Sequence, residues 1–154
     1  MSLCLFFLGC SNIPAYVEPT GEGLSSIGLF VQSDDFGGFS MELFEESNCT
    51  SPKLIADDVY VESGSGLVFE NINVNSGELT SFLVAQIGHY GYCAVTFEFI
   101  PELNTKYVIF YLREENRCSV TAQTRSGDDF QLVSSFRNLE YNQPFSTNGP
   151  YCKK

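Results

Sequence analysis

The sequence predicts an all-β fold, an antiparallel β-sandwich, and three observations carry that expectation. β-Branched and aromatic residues recur in short runs, cut by clusters of Gly, Asn, Ser and Asp that suit turns. No segment shows a convincing helical apolar period. Four cysteines, Cys49, Cys93, Cys118 and Cys152, are spread through the chain as a disulfide framework would spread them. At 154 residues and 17.1 kDa, one domain with one core is expected. Hydrophobic residues at 44% exclude a disordered chain.

The first strand is expected over 26–32, ending at the turn residues Asp34-Asp35-Phe36-Gly37-Gly38. The second, over 39–45, alternates Phe39, Met41 and Leu43 on one face. Strands over 58–62 and 67–73 are separated by Ser63-Gly64-Ser65-Gly66. After Asn75-Ser76-Gly77 a strand is expected over 80–87, with a short helix over 79–86 as the competing reading. The next, over 93–100, places Cys93, Val95, Phe97 and Phe99 on one face. The clearest hairpin joins 106–113 to 117–125 through Glu114-Glu115-Asn116, with alternation in Val108, Phe110 and Leu112 and in Cys118, Val120 and Ala122. Ser126-Gly127-Asp128-Asp129 leads to a last strand over 130–138.

Those alternations bear on the disulfides. If Cys93 and Cys118 both face inward, a Cys93–Cys118 bridge crosses the core and Cys49–Cys152 clips the tail to a loop. Cys49–Cys93 with Cys118–Cys152 is the rival connectivity. No pair has CxxC spacing, so zinc and thioredoxin-like chemistry are not expected.

Phe99-Ile100-Pro101-Glu102, followed by Tyr107 and then by Cys118, resembles a strand–corner–strand unit of small exported bacterial β-sandwich proteins. The resemblance implies fold only. Pro101 ends a strand for want of an N–H, and the Tyr107 hydroxyl is placed to bond back across the corner, as in the tyrosine corner of Greek-key sandwiches. The architecture expected over 24–154 is therefore an immunoglobulin- or transthyretin-like sandwich with two disulfides.

Ahead of that domain, Leu3, Leu5, Phe6, Phe7 and Leu8 form an apolar run too short to span a bilayer. Phe7-Leu8-Gly9-Cys10 is similar to the lipobox of bacterial lipoproteins. The resemblance implies that 1–9 is the remnant of a signal peptide and that Cys10 carries a diacylglyceryl thioether. Multiple acyl chains then hold the protein to the membrane. Ser11 resembles the residue found after Cys in lipoproteins sorted to the outer membrane, which implies a protein facing the periplasm. With Pro14, Pro19, Gly21 and Gly23, residues 10–23 read as a lipidated, flexible tether. The competing reading makes 3–8 a first core strand and Cys10 a disulfide partner, in a secreted or periplasmic protein.

Acidic residues outnumber basic ones 19 to 8, for a net charge of −11. That balance argues against a nucleic-acid partner and against anionic headgroups as an electrostatic target. One His in the chain, His89, removes most triad and His-ligand mechanisms, and no G-x-S-x-G or P-loop occurs. No catalytic residue and no cofactor are expected. His89, Tyr90 and Tyr92 lie together in Gly88-His89-Tyr90-Gly91-Tyr92-Cys93, a loop of the composition that suits a contact surface, or one whose tyrosines pack over a disulfide. If their loops converge, Asp34, Asp35, Asp128 and Asp129 are candidate Ca²⁺ ligands; otherwise these residues, like Asp57-Asp58, serve turns and solubility. The functional expectation is a lipid-anchored, non-enzymatic binding or structural protein of the cell envelope. The rival is an acidic inhibitor or immunity protein that meets a basic enzyme or toxin, with an envelope hydrolase third.

Overall fold

The computed structural model describes residues 13–62 and 64–153. Residues 1–9, expected to be a signal-peptide remnant, and Cys10 lie outside the described residues. Two packed sheets make up the fold, as the sequence predicts. Its strands are β1 (Leu24–Ser33), β2 (Gly37–Glu46), β3 (Thr50–Val61), β4 (Gly64–Asn75), β5 (Thr80–Gly88), β6 (Gly91–Phe99), β7 (Lys106–Glu114), β8 (Arg117–Ser126), β9 (Asp129–Leu132), β10 (Arg137–Tyr141) and β11 (Cys152–Lys153). One sheet has the order β4-β1-β7-β8-β9 and the other β11-β10-β6-β5-β2-β3. Among these strands all pairings are antiparallel except β1 with β7, which run parallel from Ser26 beside Lys106 to Ser33 beside Arg113. The expectation of a wholly antiparallel sandwich is corrected at that pair. Parallel partners need a long crossover, and here the whole of β2–β6 supplies it.

The core lies between the sheets. Ile27, Leu29 and Val31 of β1 meet Phe39 and Met41 of β2 and Phe82, Phe97 and Phe99 of β5 and β6. Phe82 stacks against both Phe97 and Phe99, at 5.3 and 5.5 Å between centroids. The face of β7 that turns inward is Tyr107, Ile109 and Tyr111, while Val108, Phe110 and Leu112 turn out. Both faces of this strand are apolar, so alternation alone does not say which is buried. The tyrosine corner is present: the Glu102 N–H donates to the Tyr107 hydroxyl at 2.7 Å.

Two expected elements differ for physical reasons, while the strand expected over 80–87 forms as β5. β3 begins at Thr50, eight residues before the expected strand, because it is an edge of its sheet and tolerates Pro52 there. Asp57-Asp58 therefore sits inside a strand. The expected strand over 130–138 is two strands in different sheets, joined by a corner at 133–136 whose Val133 and Phe136 pack on the core. Residues 79–86 belong to β5 and its approach, not to a helix.

The described part of the expected tether, 13–23, is docked on the sandwich. The Tyr16 N–H donates to the Leu54 carbonyl at 2.8 Å and the Leu54 N–H to the Pro14 carbonyl at 2.9 Å. The Tyr16 hydroxyl donates to the Asn73 carbonyl at 3.0 Å, and Glu18 accepts from the Asn73 N–H at 2.8 Å. Edge strands β3 and β4 offer unpaired backbone groups, and this segment takes some of them.

Both disulfides follow the connectivity that alternation favours. Cys93–Cys118 joins β6 to β8 across the two sheets, and Cys49–Cys152 ties the β2–β3 turn to β11. The second bridge pins the tail over a small cluster of Phe44, Leu83 and Tyr151 on the outer face of the six-stranded sheet.

Candidate functional site

At one end of the sandwich the connections β1–β2, β5–β6 and β7–β8 meet, beside the end of β3. Asp35, in the first, is 2% exposed. Its carboxylate accepts the His89 N–H at 2.9 Å and the Tyr90 N–H at 3.1 Å. Its partner in charge is Arg113, 1% exposed, at 3.3 Å. The guanidinium also donates through Nε to the Glu115 carbonyl (2.9 Å) and through Nη2 to the Gly91 carbonyl (3.1 Å). Asp34 accepts the Glu115 N–H at 3.0 Å. One acidic pair thus fixes the turns on either side of it.

Two glycines are demanded by this packing. A Cβ on Gly88 would lie 2.2 Å from an Asp35 carboxylate oxygen, and one on Gly37 would lie 2.0 Å from the Ile87 carbonyl oxygen. Neither distance is possible without displacement. A buried ion pair is weak evidence for stability, because removing both charges from water offsets their attraction. What the Asp35–Arg113 pair delivers here is geometry. It holds Phe36, His89 and Tyr90 in exposed positions, with Phe36 stacked on His89 at 6.5 Å and His89 edge-on to Tyr90 at 5.4 Å. Ile87 and Tyr92 continue the exposed apolar surface onto the adjoining sheet face. Beneath it the Cys93–Cys118 bridge ties the two sheets together.

The sequence-predicted residues divide between the two ends of the molecule. Asp34 and Asp35 join His89, Tyr90 and Tyr92 at this end. Asp128 and Asp129 follow Ser126 at the opposite end, where Tyr107 pairs with Thr124 and Ser26 with Lys106. The convergence on which the Ca²⁺ reading depended does not occur, and both oxygens of Asp35 are occupied by backbone donors. Among the described residues no group of three or more His, Cys, Asp or Glu side chains is placed to hold a metal ion. Sequence reasoning missed Arg113. Its signal was its place in the row Tyr107, Ile109, Tyr111, which puts a cation on a core face where it needs a partner.

Another buried titratable group lies away from this end. Glu42 of β2 is 7% exposed near Tyr92 and Tyr151, and among the described residues its Oε2 has no hydrogen-bond partner. Burial, helped by the charge of Asp57, pushes its carboxyl up to about 7. Burial likewise pushes the Tyr151 phenol up to about 12.

Comparison of the chain with protein families, curated proteins and solved structures finds no match.

Proposed function

We propose that this chain is a lipid-anchored, non-enzymatic binding protein of the bacterial cell envelope, and that its loop end meets a basic protein. The observation that carries the reading is the buried Asp35–Arg113 pair, which holds Phe36, His89 and Tyr90 exposed and ordered. Rigid, exposed aromatics lose little freedom on binding. Carboxylates frame them: Asp34, Glu62, Glu114 and Glu115 outnumber Arg117 at this end. Aromatic faces beside carboxylates suit Lys and Arg side chains, through cation–π contact and charge. The net charge of −11 would steer a cationic partner toward the protein. Inhibition of, or immunity to, a basic enzyme or toxin is the specific form this reading favours.

Anchoring at Cys10 and a periplasm-facing outer-membrane location rest on the lipobox resemblance of Phe7-Leu8-Gly9-Cys10. Two disulfides are compatible with an oxidising compartment.

Pull-downs from an envelope fraction at low and high salt test the binding surface. A basic partner should be retained at low salt and released as the Debye length shrinks from about 10 Å at 0.1 M to about 3 Å at 1 M. Tyr90→Ala and Glu114→Lys should each weaken its capture. Capture that is insensitive to salt and to both substitutions overturns the assignment of this surface.

A further inference from the structure

The outer face of the five-stranded sheet carries a groove that the loop end does not use. Register lines up Leu67, Phe30 and Phe110 across three neighbouring strands. The Phe30 and Phe110 rings stand 5.5 Å apart, and Phe130 of β9 closes edge-on against Phe110 at 5.9 Å. Phe130, from the edge strand β9, therefore bounds the groove on one side. On the other side is β4, which is bulged against β1 beside Gly28. Gly28 lets the strands approach: a Cβ there would sit 3.1 Å from the Phe69 carbonyl oxygen. The groove encloses about 720 Å³, within the roughly 300–1,000 Å³ of small-molecule sites.

Its charge runs against that of the whole molecule. The chain carries −11 and only eight basic residues, yet two of those eight, Lys106 and Arg125, line this groove with a single acid, Glu70. Arg125 lies over the Phe130 ring at 6.0 Å, so a cation is already seated at the apolar wall. Lys106 makes no ion pair among the described residues. Register brings the two cations to one end of the groove: Arg125 pairs with Phe130, and Lys106 opens the strand beside it.

We infer that this groove binds a single-chain amphiphile with an anionic head, of the fatty-acid type. The alkyl chain lies along Leu67, Phe30, Phe110 and Phe130, and the carboxylate meets Lys106 and Arg125. The ligand is a free molecule and not a bilayer surface, because a chain of net charge −11 is repelled by an anionic headgroup layer, whereas the groove's two cations can meet a single head. This inference is independent of the loop-end reading, since it rests on a different face.

The test is calorimetric titration of the full chain with dodecanoate below its micelle concentration, with dodecanol as the uncharged comparison. Dodecanoate should bind at one site per chain, with a dissociation constant of about 1–100 μM. The double variant Lys106→Ala/Arg125→Ala should weaken dodecanoate by about tenfold or more and leave dodecanol nearly unchanged. Phe30→Ala, checked for an unaltered circular dichroism spectrum, should weaken both. Tyr90→Ala should alter neither. Absence of dodecanoate binding overturns the inference, as does binding indifferent to the groove variants. Groove-dependent binding to anionic phospholipid vesicles with none to dodecanoate overturns it too, and assigns the surface to a membrane.

Discussion

Glu42→Gln is expected to stabilise the protein above neutral pH and to lose that advantage in acid. In the folded chain the Glu42 carboxyl is pushed from its ordinary 4.5 up to about 7, chiefly by burial and secondarily by Asp57. Between those two values the folded state holds a proton that the unfolded state has released. Stability therefore falls as pH rises from about 4.5 to about 7, and the loss is complete above the folded value. At about 1.4 kcal/mol for each pH unit, the full effect is about 3.5 kcal/mol at most. Gln keeps the size and one carbonyl oxygen but cannot ionise, so it escapes that loss. Urea unfolding followed by far-ultraviolet circular dichroism, at pH 4.5 and pH 8, gives the two differences needed. The variant should gain about 1–3 kcal/mol over wild type at pH 8 and little or nothing at pH 4.5. An equal difference at both values would refute a titrating, buried carboxyl at this position.

Arg113→Met should destabilise the fold by about 3–5 kcal/mol in the same assay, because it strands a buried Asp35; Asp35→Asn/Arg113→Met should recover part of that loss, and additive losses would show the two are not coupled. Gly88→Ala should cost roughly 1–3 kcal/mol, since its Cβ would meet the Asp35 carboxylate, and a neutral result would mean that this end of the molecule is not tightly packed. Thiol counting on the unfolded, unreduced protein should find Cys49, Cys93, Cys118 and Cys152 all blocked, and Cys49→Ala/Cys152→Ala should cost about 2–5 kcal/mol and expose the tail to protease. In a bacterial host the wild type should partition into detergent and Cys10→Ser should not be lipidated; a wholly soluble wild type that keeps residues 1–9 would refute the anchor.

Local chemistry determined a good deal. Period-2 alternation, turn clusters and the absence of helical periodicity are properties of neighbouring residues, and they are enough for an all-β sandwich. Alternation also placed Cys93 and Cys118 on inward faces, which favoured the bridge that forms but left Cys49–Cys93 with Cys118–Cys152 open. The Tyr107 corner was legible because the hydroxyl's partner, the Glu102 N–H, is five residues away. Tertiary structure decided whatever depends on partners distant in the chain. β7 is apolar on both faces, and only its place beside β1 turns Tyr111 inward and leaves Phe110 to the groove. Asp34 and Asp35 read as turn residues, yet one caps a backbone 81 residues away and the other neutralises Arg113 in the interior. The continuous run over 130–138 is broken because its halves pair with distant strands in different sheets, β9 with β8 and β10 with β6. A residue's neighbours in sequence set the conformation it prefers. Which of its faces escapes water, and which charge it meets there, is settled only when the distant strands close on one another.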